Sequence, residues 1–223
     1  MDFFNTDWQM LVRNTLISVI PFMFAIMVHE VSHGFVAYLM GDNTAKDAGR
    51  LTLNPIKHID IFGLLFLLVT RLFGWAKPVP VDFRIVRRYK YGPLTVAAAG
   101  PVSNFILAIL SILALYLFMR LPEAQLSRVP NNAIEIVALM LLYSVQINIA
   151  LGVFNLLPLL PMDGGRILQN LLPPKAAYEY GKLERWGFII LVILMFTGVI
   201  GDILGPVLTA LNRLALSFIL GGS

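Results

Sequence analysis

Residues 21–40 read P-F-M-F-A-I-M-V-H-E-V-S-H-G-F-V-A-Y-L-M, an apolar run of helix length with His29, Glu30 and His33 set in its middle. Each residue of an α-helix turns by about 100°, so two histidines four apart differ by roughly 40° and share a face. Both imidazoles can reach one metal ion, and Glu30 sits beside that face, within reach of a water on the ion. This is the H-E-x-x-H pattern of zinc hydrolases. Its apolar setting decides the fold. From Gln9 to Met40 the chain is almost wholly apolar apart from Arg13, Asn14 and the H-E-V-S-H group, and the run exceeds the ~20 residues that cross a bilayer. A charged residue near the bilayer centre costs roughly 2.5–3.5 kcal/mol on insertion scales. The three polar side chains are therefore expected to face an interior cavity and hold a metal, in preference to forming a structural hydrogen-bonded cluster.

The rest of the chain agrees with a membrane setting. Of 223 residues, 58% are hydrophobic and 13% charged, against roughly 45–50% apolar in soluble domains, and the mean hydropathy is +0.78. The formal charge of +4 is scattered through loops between apolar runs. That distribution marks membrane sidedness rather than a nucleic-acid surface, so no nucleic-acid partner is expected. There is no cysteine, which removes disulfides and thiolate metal ligands and leaves histidine and carboxylate. The opening M-D-F-F-N-T-D-W lacks the basic n-region of a secretory signal, so the first apolar segment is expected to be retained.

Outward from the first run, Pro21 is read as starting or kinking the spanning helix and Gly41 as ending it. A polar loop follows from Gly41 to Asp60, with Leu51-Thr52-Leu53 as a short strand. The run Ile61 to Phe73, interrupted by Arg71, is short for a crossing and reads as re-entrant. Trp75 to Lys90 is basic. Leu94 to Met119 and Ala133 to Leu160 are spanning segments, and Pro161 to Arg185 is polar. Trp186 to Ile200 begins a last apolar region that Asp202, Gly205 and Pro206 are expected to break before a helix at Val207 to Leu220. The expected fold is an all-α polytopic membrane protein, a single domain over residues 1–223. It would be a bundle of about five to six transmembrane helices with a short re-entrant or strand-containing segment near residues 48–80. If Ile61–Phe73 dips in and returns, the basic loops share one side, and that side is cytoplasmic.

Two histidines do not complete a catalytic zinc site, which normally has three protein ligands. The remaining candidates are His58 and the carboxylates. Most carboxylates lie among basic neighbours and read as solvated charges. Asp163 differs. It sits in N-L-L-P-L-L-P-M-D-G-G-R, residues 155–166, directly after an apolar helix, with prolines before it and glycines after. Such irregular backbone at membrane depth is tolerated only inside protein or along a cavity.

This combination resembles the site-2 protease family of intramembrane zinc metalloproteases, in a minimal form. H-E-V-S-H at 29–33 matches the family's first motif; Asn155, Pro158, Asp163 and Gly164 match its second, N-x-x-P-x-x-x-x-D-G. The segments G-P-V-S-N at 100–104 and G-R-L-T-L-N-P-I-K-H-I-D at 49–60 also resemble family segments. The resemblance runs from about Pro21 to Leu204. It implies that His29, His33 and Asp163 hold one Zn2+, that Glu30 is the general base, and that Asn155 orients substrate or stabilises the oxyanion. It also implies transmembrane protein substrates within the lipid bilayer, in the plasma membrane of a prokaryote, with the active site toward the cytoplasm. An unwound substrate segment could add to an edge at Leu51-Thr52-Leu53. The accessory domains of some members are not expected here. Asn104 and Asn148 are read as helix-packing hydrogen bonders, Gly100 and Pro101 as a close approach or kink, and His58 as a loop residue near the cavity mouth. The competing reading is a membrane metal-ion transporter or a non-catalytic metal-binding membrane protein, which gives Glu30 no role and does not require Asn155.

Overall fold

The computed structural model describes residues 8–63, 65, 76–122, 127 and 129–221. The described chain is mostly helical. Four helices are long and apolar enough to cross a membrane: α1 (Trp8–Leu39), α4 (Gly92–Phe118), α5 (Asn131–Asn155) and α9 (Val199–Leu220). Between α1 and α4 lie two single-turn helices, α2 (Thr44–Asp47) and α3 (Phe83–Val86), and a 3-10 turn at Pro55–Lys57. After α5 come α6 (Asp163–Leu171), α7 (Pro174–Gly181) and α8 (Glu184–Phe196). This is a multi-pass integral membrane protein.

Packing between the spanning helices follows from small residues. In lipid there is no hydrophobic drive between helices, so close van der Waals approach and interhelical hydrogen bonds hold them. The buried stripe of α1 is Ile17, Pro21, Ala25 and His29, at intervals of four. That of α4 includes Ala97, Gly100, Asn104, Ala108, Ser111 and Leu115. It meets Val145, Asn148, Ile149 and Gly152 of α5. α1, α4 and α5 pack on one another, α6 lies against α4, and α9 closes on α4 and α5 through Ala108, Val145, Ile149 and Ala215. Ser111 Oγ and Ser144 Oγ add a hydrogen bond of 2.7 Å between α4 and α5. The outer faces carry exposed Leu16, Ile20, Ile109, Leu113 and Phe218, as expected where the surrounding solvent is lipid.

Several expectations change. Leu51-Thr52-Leu53 is not a strand but a pair of bends leading into the Asn54–Pro55 turn. The Thr52 carbonyl, which a ladder would need, is taken by His58 Nε2 at 2.8 Å. Among the described residues there is no strand, only an isolated bridge between Ile59 and Ala76. The re-entrant expectation for Ile61–Phe73 falls largely on residues 64 and 66–75, outside the described residues. The last apolar region divides at Gly198, whose φ of +81° favours glycine. α9 then runs unbroken through Asp202, Gly205 and Pro206. Only one backbone hydrogen bond is lost at a proline, and packing on α4 and α5 carries the helix past it. α8 has 13 residues, short of the ~20 that cross a bilayer, so the described residues supply four spanning helices of the five to six expected.

One close approach fixes the approach to the site. A Cβ on Gly187 of α8 would lie 1.9 Å from the carbonyl oxygen of Leu160 and 2.6 Å from its carbon. Leu160 is buried and sits three residues before Asp163, so neither backbone can yield without moving the other. Gly187→Ala is expected to lower the thermal unfolding midpoint in detergent, the overpacking cost of about 1–3 kcal/mol outweighing a helix-propensity gain of about 1 kcal/mol.

Candidate metal centre

α1 brings His29 and His33 to one face, as four-residue spacing requires, and the turn after α5 brings Asp163 to meet them. Asn155 is the last residue of α5, and Asp163 is the first of α6. A carboxylate in the first helical turn is favoured by the helix dipole. His29 Nε2 lies 3.2 Å from His33 Nε2. Asp163 Oδ2 is 3.1 Å from the first and 3.4 Å from the second. These three residues, two of them a helical turn apart and the third 130 positions on, form a cluster that could hold one metal ion.

The protonation pattern suits a cation. His33 Nδ1 lies 2.7 Å from the carbonyl oxygen of Val96, and His29 Nδ1 lies 2.6 Å from Asn104 Oδ1. A carbonyl and an amide oxygen only accept, so each Nδ1 donates, and each neutral imidazole turns its Nε2 lone pair inward. Asp163 Oδ2 is buried, with the two Nε2 atoms as its neighbours. With both imidazoles neutral, three electron-pair donors converge, an arrangement that repels unless a cation lies among them. Ligands about 2.0–2.1 Å from zinc in a tetrahedron stand about 3.3 Å apart, which matches the three separations. Gly100 makes the space: a Cβ there would come 2.4 Å from His33 Nε2 and 2.5 Å from His29 Nε2.

Glu30 lines the same cavity, and its Oε2 accepts the N–H of Val79 at 2.9 Å. The Pro78-Val79-Pro80 segment has only one amide hydrogen, because proline has none, and it is spent on Glu30. The flanks of this segment are tied down. The Lys77 N–H donates to the His58 carbonyl at 2.8 Å, Arg50 Nη2 donates to the Lys77 carbonyl at 2.6 Å, and the Asp82 N–H donates to Asp42 Oδ2 at 2.7 Å. Asp82 in turn caps α3, and the side-chain hydrogen bond from Arg84 holds its carboxyl below the ordinary value.

A cavity of about 650 Å³ opens over His29, Glu30, His33 and Asp163, with mostly apolar walls from Ile26, Val81, Phe83, Leu151, Phe154 and Leu191. Asn155 and Arg166 also line it. Asn155 Nδ2 donates one hydrogen to its own helix at Leu151 O, 2.9 Å away, and Arg166 pairs with Glu184 at 2.9 Å.

Comparison with known proteins agrees with this geometry. The family model for peptidase family M50 matches residues 17–197. The chain belongs to peptidase family M50. A Bacillus subtilis (strain 168) protein provisionally named zinc metalloprotease YwhC is 40% identical over 192 residues, 86% of this chain and 85% of that one. A Mycolicibacterium smegmatis protein provisionally named zinc metalloprotease Rip2 is 27% identical over 189 residues, 82% of this chain and 67% of the relative. A zinc metalloprotease of Methanocaldococcus jannaschii is 28% identical over 155 residues, 69% of this chain and 34% of that one. No solved structure gives a significant match. Membership of M50 makes the chain a zinc metallopeptidase of the site-2 protease kind, with Zn2+ as its metal.

His58 does not join the cluster. It is buried, bonded through Nε2 to Thr52, with Nδ1 unpartnered. Sequence reasoning missed three residues that shape this cluster and its cavity. Asn104 was read as packing alone, yet it touches a histidine of the cluster. Gly100 was read as a close approach between helices, but what it approaches is the imidazole pair. Val79 was passed over, although two prolines around a single amide hydrogen are a legible sign that the amide has an assigned partner.

Proposed function

We propose that this M50 chain is an intramembrane endopeptidase that cuts transmembrane-helix substrates near the cytoplasmic face of a prokaryotic plasma membrane. His29, His33 and Asp163 hold the zinc, Glu30 is the general base, and Asn155 assists at the scissile carbonyl. The observation that supports the reading best is the convergence of two imidazole nitrogens and a carboxylate oxygen in one cavity with Glu30, walled in part by membrane-length helices.

Zinc, when bound, supplies a Lewis acid that polarises a carbonyl and acidifies water. The residues do the rest. Glu30, held by the Val79 amide, takes the proton of the attacking water and returns it to the departing amine nitrogen. No covalent intermediate is needed. Asn155 has a second amide hydrogen beyond the one given to Leu151 and can donate it to the carbonyl oxygen as charge develops there. The apolar walls exclude bulk water and receive a lipid-soluble segment, whose helical hydrogen bonds must open before a carbonyl can be attacked. His33 lies six residues before the end of α1, about 9 Å along the axis. That end adjoins the loops bearing Lys46, Arg50, Lys57, Lys77, Arg84, Arg87, Arg88 and Lys90, the basic side that faces the cytoplasm in most membrane proteins.

Metal content tests the ligand set without knowledge of the substrate. Elemental analysis of purified wild type is expected to find about one zinc per chain, lost or much weakened in His33→Ala and in Asp163→Ala. Full affinity in Asp163→Ala would overturn the pairing of the first helix with the loop after α5.

A further inference from the structure

We propose that Asn104 is a positioning residue for His29: with Asn148 it forms a directional relay from α5 that holds His29 in the tautomer whose Nε2 faces Asp163. The inference rests on the ligand set proposed above and deepens it.

The direction of the relay is set at its far end. Asn148 Nδ2 lies 2.8 Å from the Ser144 carbonyl oxygen, which only accepts. The amide of Asn148 therefore turns its Oδ1 toward α4. There Asn104 Nδ2 donates to it at 2.9 Å, and the same nitrogen lies 3.3 Å from the Ala25 carbonyl oxygen of α1. Both partners demand a donor, so Asn104 must present its amide nitrogen to them and its oxygen to His29, 2.6 Å away. His29 is left one choice, to donate from Nδ1. Backbone carbonyls of α5 and α1 thus choose the proton position of a ring on α1. Asn104 and Asn148 have no exposed surface, so no bulk water competes for either amide. His33 reaches the same tautomer more simply, through the Val96 carbonyl.

A purely structural role for the pair makes a different prediction. Asparagines between membrane helices bind helices together, and that role needs the Asn104–Asn148 bond but not the bond to His29. Asn104→Leu removes both. Asn104→Asp removes the donor to Asn148 and keeps an oxygen acceptor for His29, recreating the carboxylate–histidine pairing common behind metal ligands. Asn148→Leu removes the bond between the asparagines and the anchor to Ser144, and leaves Asn104 its bonds to His29 and to the Ala25 carbonyl.

The test is zinc affinity of the full-length detergent-solubilised protein by competition with a fluorescent zinc chelator, together with the melting midpoint of the metal-free protein. Asn104→Leu is expected to weaken zinc binding by about 10–100-fold and Asn148→Leu by less, because the Ala25 carbonyl still orients Asn104, while Asn104→Asp stays within a few-fold of wild type. Shared losses in metal-free melting report helix packing and leave the affinity contrast standing. Equal weakening of all three variants, or wild-type affinity in Asn104→Leu, overturns the relay. If Asn104→Leu does not fold, Asn104→Ala is judged on the same scale. His29→Ala separates the two levels of inference: undiminished zinc in that variant removes the ligand assignment itself, whatever the asparagines do.

Discussion

Glu30→Gln is expected to leave zinc content unchanged and to slow peptide-bond hydrolysis by about 10²–10⁴-fold, the usual contribution of a positioned general base. The substitution preserves shape, and the glutamine carbonyl can still accept the Val79 N–H that Glu30 Oε2 accepts at 2.9 Å. The Pro78–Pro80 segment should stay in place over the cavity. What disappears is a group that can take a proton at neutral pH. The measurement is cleavage of a single-span reporter protein co-reconstituted with the enzyme in lipid vesicles, with products read by mass spectrometry. Activity within tenfold of wild type would remove Glu30 from its role. Equal cleavage of the same sequence offered as a soluble peptide would argue against a membrane-embedded substrate.

The second large effect is at Gly100. Gly100→Ala is expected to abolish zinc binding while leaving the helix bundle folded. The added Cβ would sit 2.4–2.6 Å from His33 Nε2 and from His29 Nε2 and Cε1. To reach ordinary contact the rings must retreat by about 1 Å, whereas a metal site tolerates about 0.2 Å in its ligand distances. The backbone itself has no objection, since alanine is favoured over glycine inside a helix by about 1 kcal/mol. Loss of metal with an undiminished melting point of the metal-free protein is therefore the signature. Retention of one zinc per chain in Gly100→Ala would show that the ion does not lie among these three residues. The site-2 resemblance includes Gly100 within G-P-V-S-N, but the purpose of the glycine becomes visible only against the imidazoles.

Local pattern carried much of the reading. A long apolar run with H-E-x-x-H in it establishes a spanning helix with two imidazoles on one face, because the helical repeat is a property of the backbone and independent of what surrounds it. The motif at 155–164 singles out Asp163 for the same kind of reason: prolines and glycines restrict the local chain whatever its neighbours. Boundaries were less legible. Pro206 was expected to break α9 and does not, since packing on α4 and α5 outweighs one missing hydrogen bond, whereas Gly198 ends α8 through a positive φ that no apolar pattern reveals. The strand expected at Leu51–Leu53 gives way to a side chain, His58, that claims the Thr52 carbonyl. Only the tertiary structure could decide which partners the buried polar groups take. Asn104 reaches His29 across 75 positions of sequence, and Glu30 finds the Val79 amide across 49. Such pairings depend on how the helices, and the loops between them, close upon one another. The sequence alone determined that a metal-binding helix lies in a membrane; the packing of α1, α4 and α5 decided which atoms orient its ligands, because hydrogen bonds act over about 3 Å and sequence spacing is blind to that distance once the chain leaves a helix.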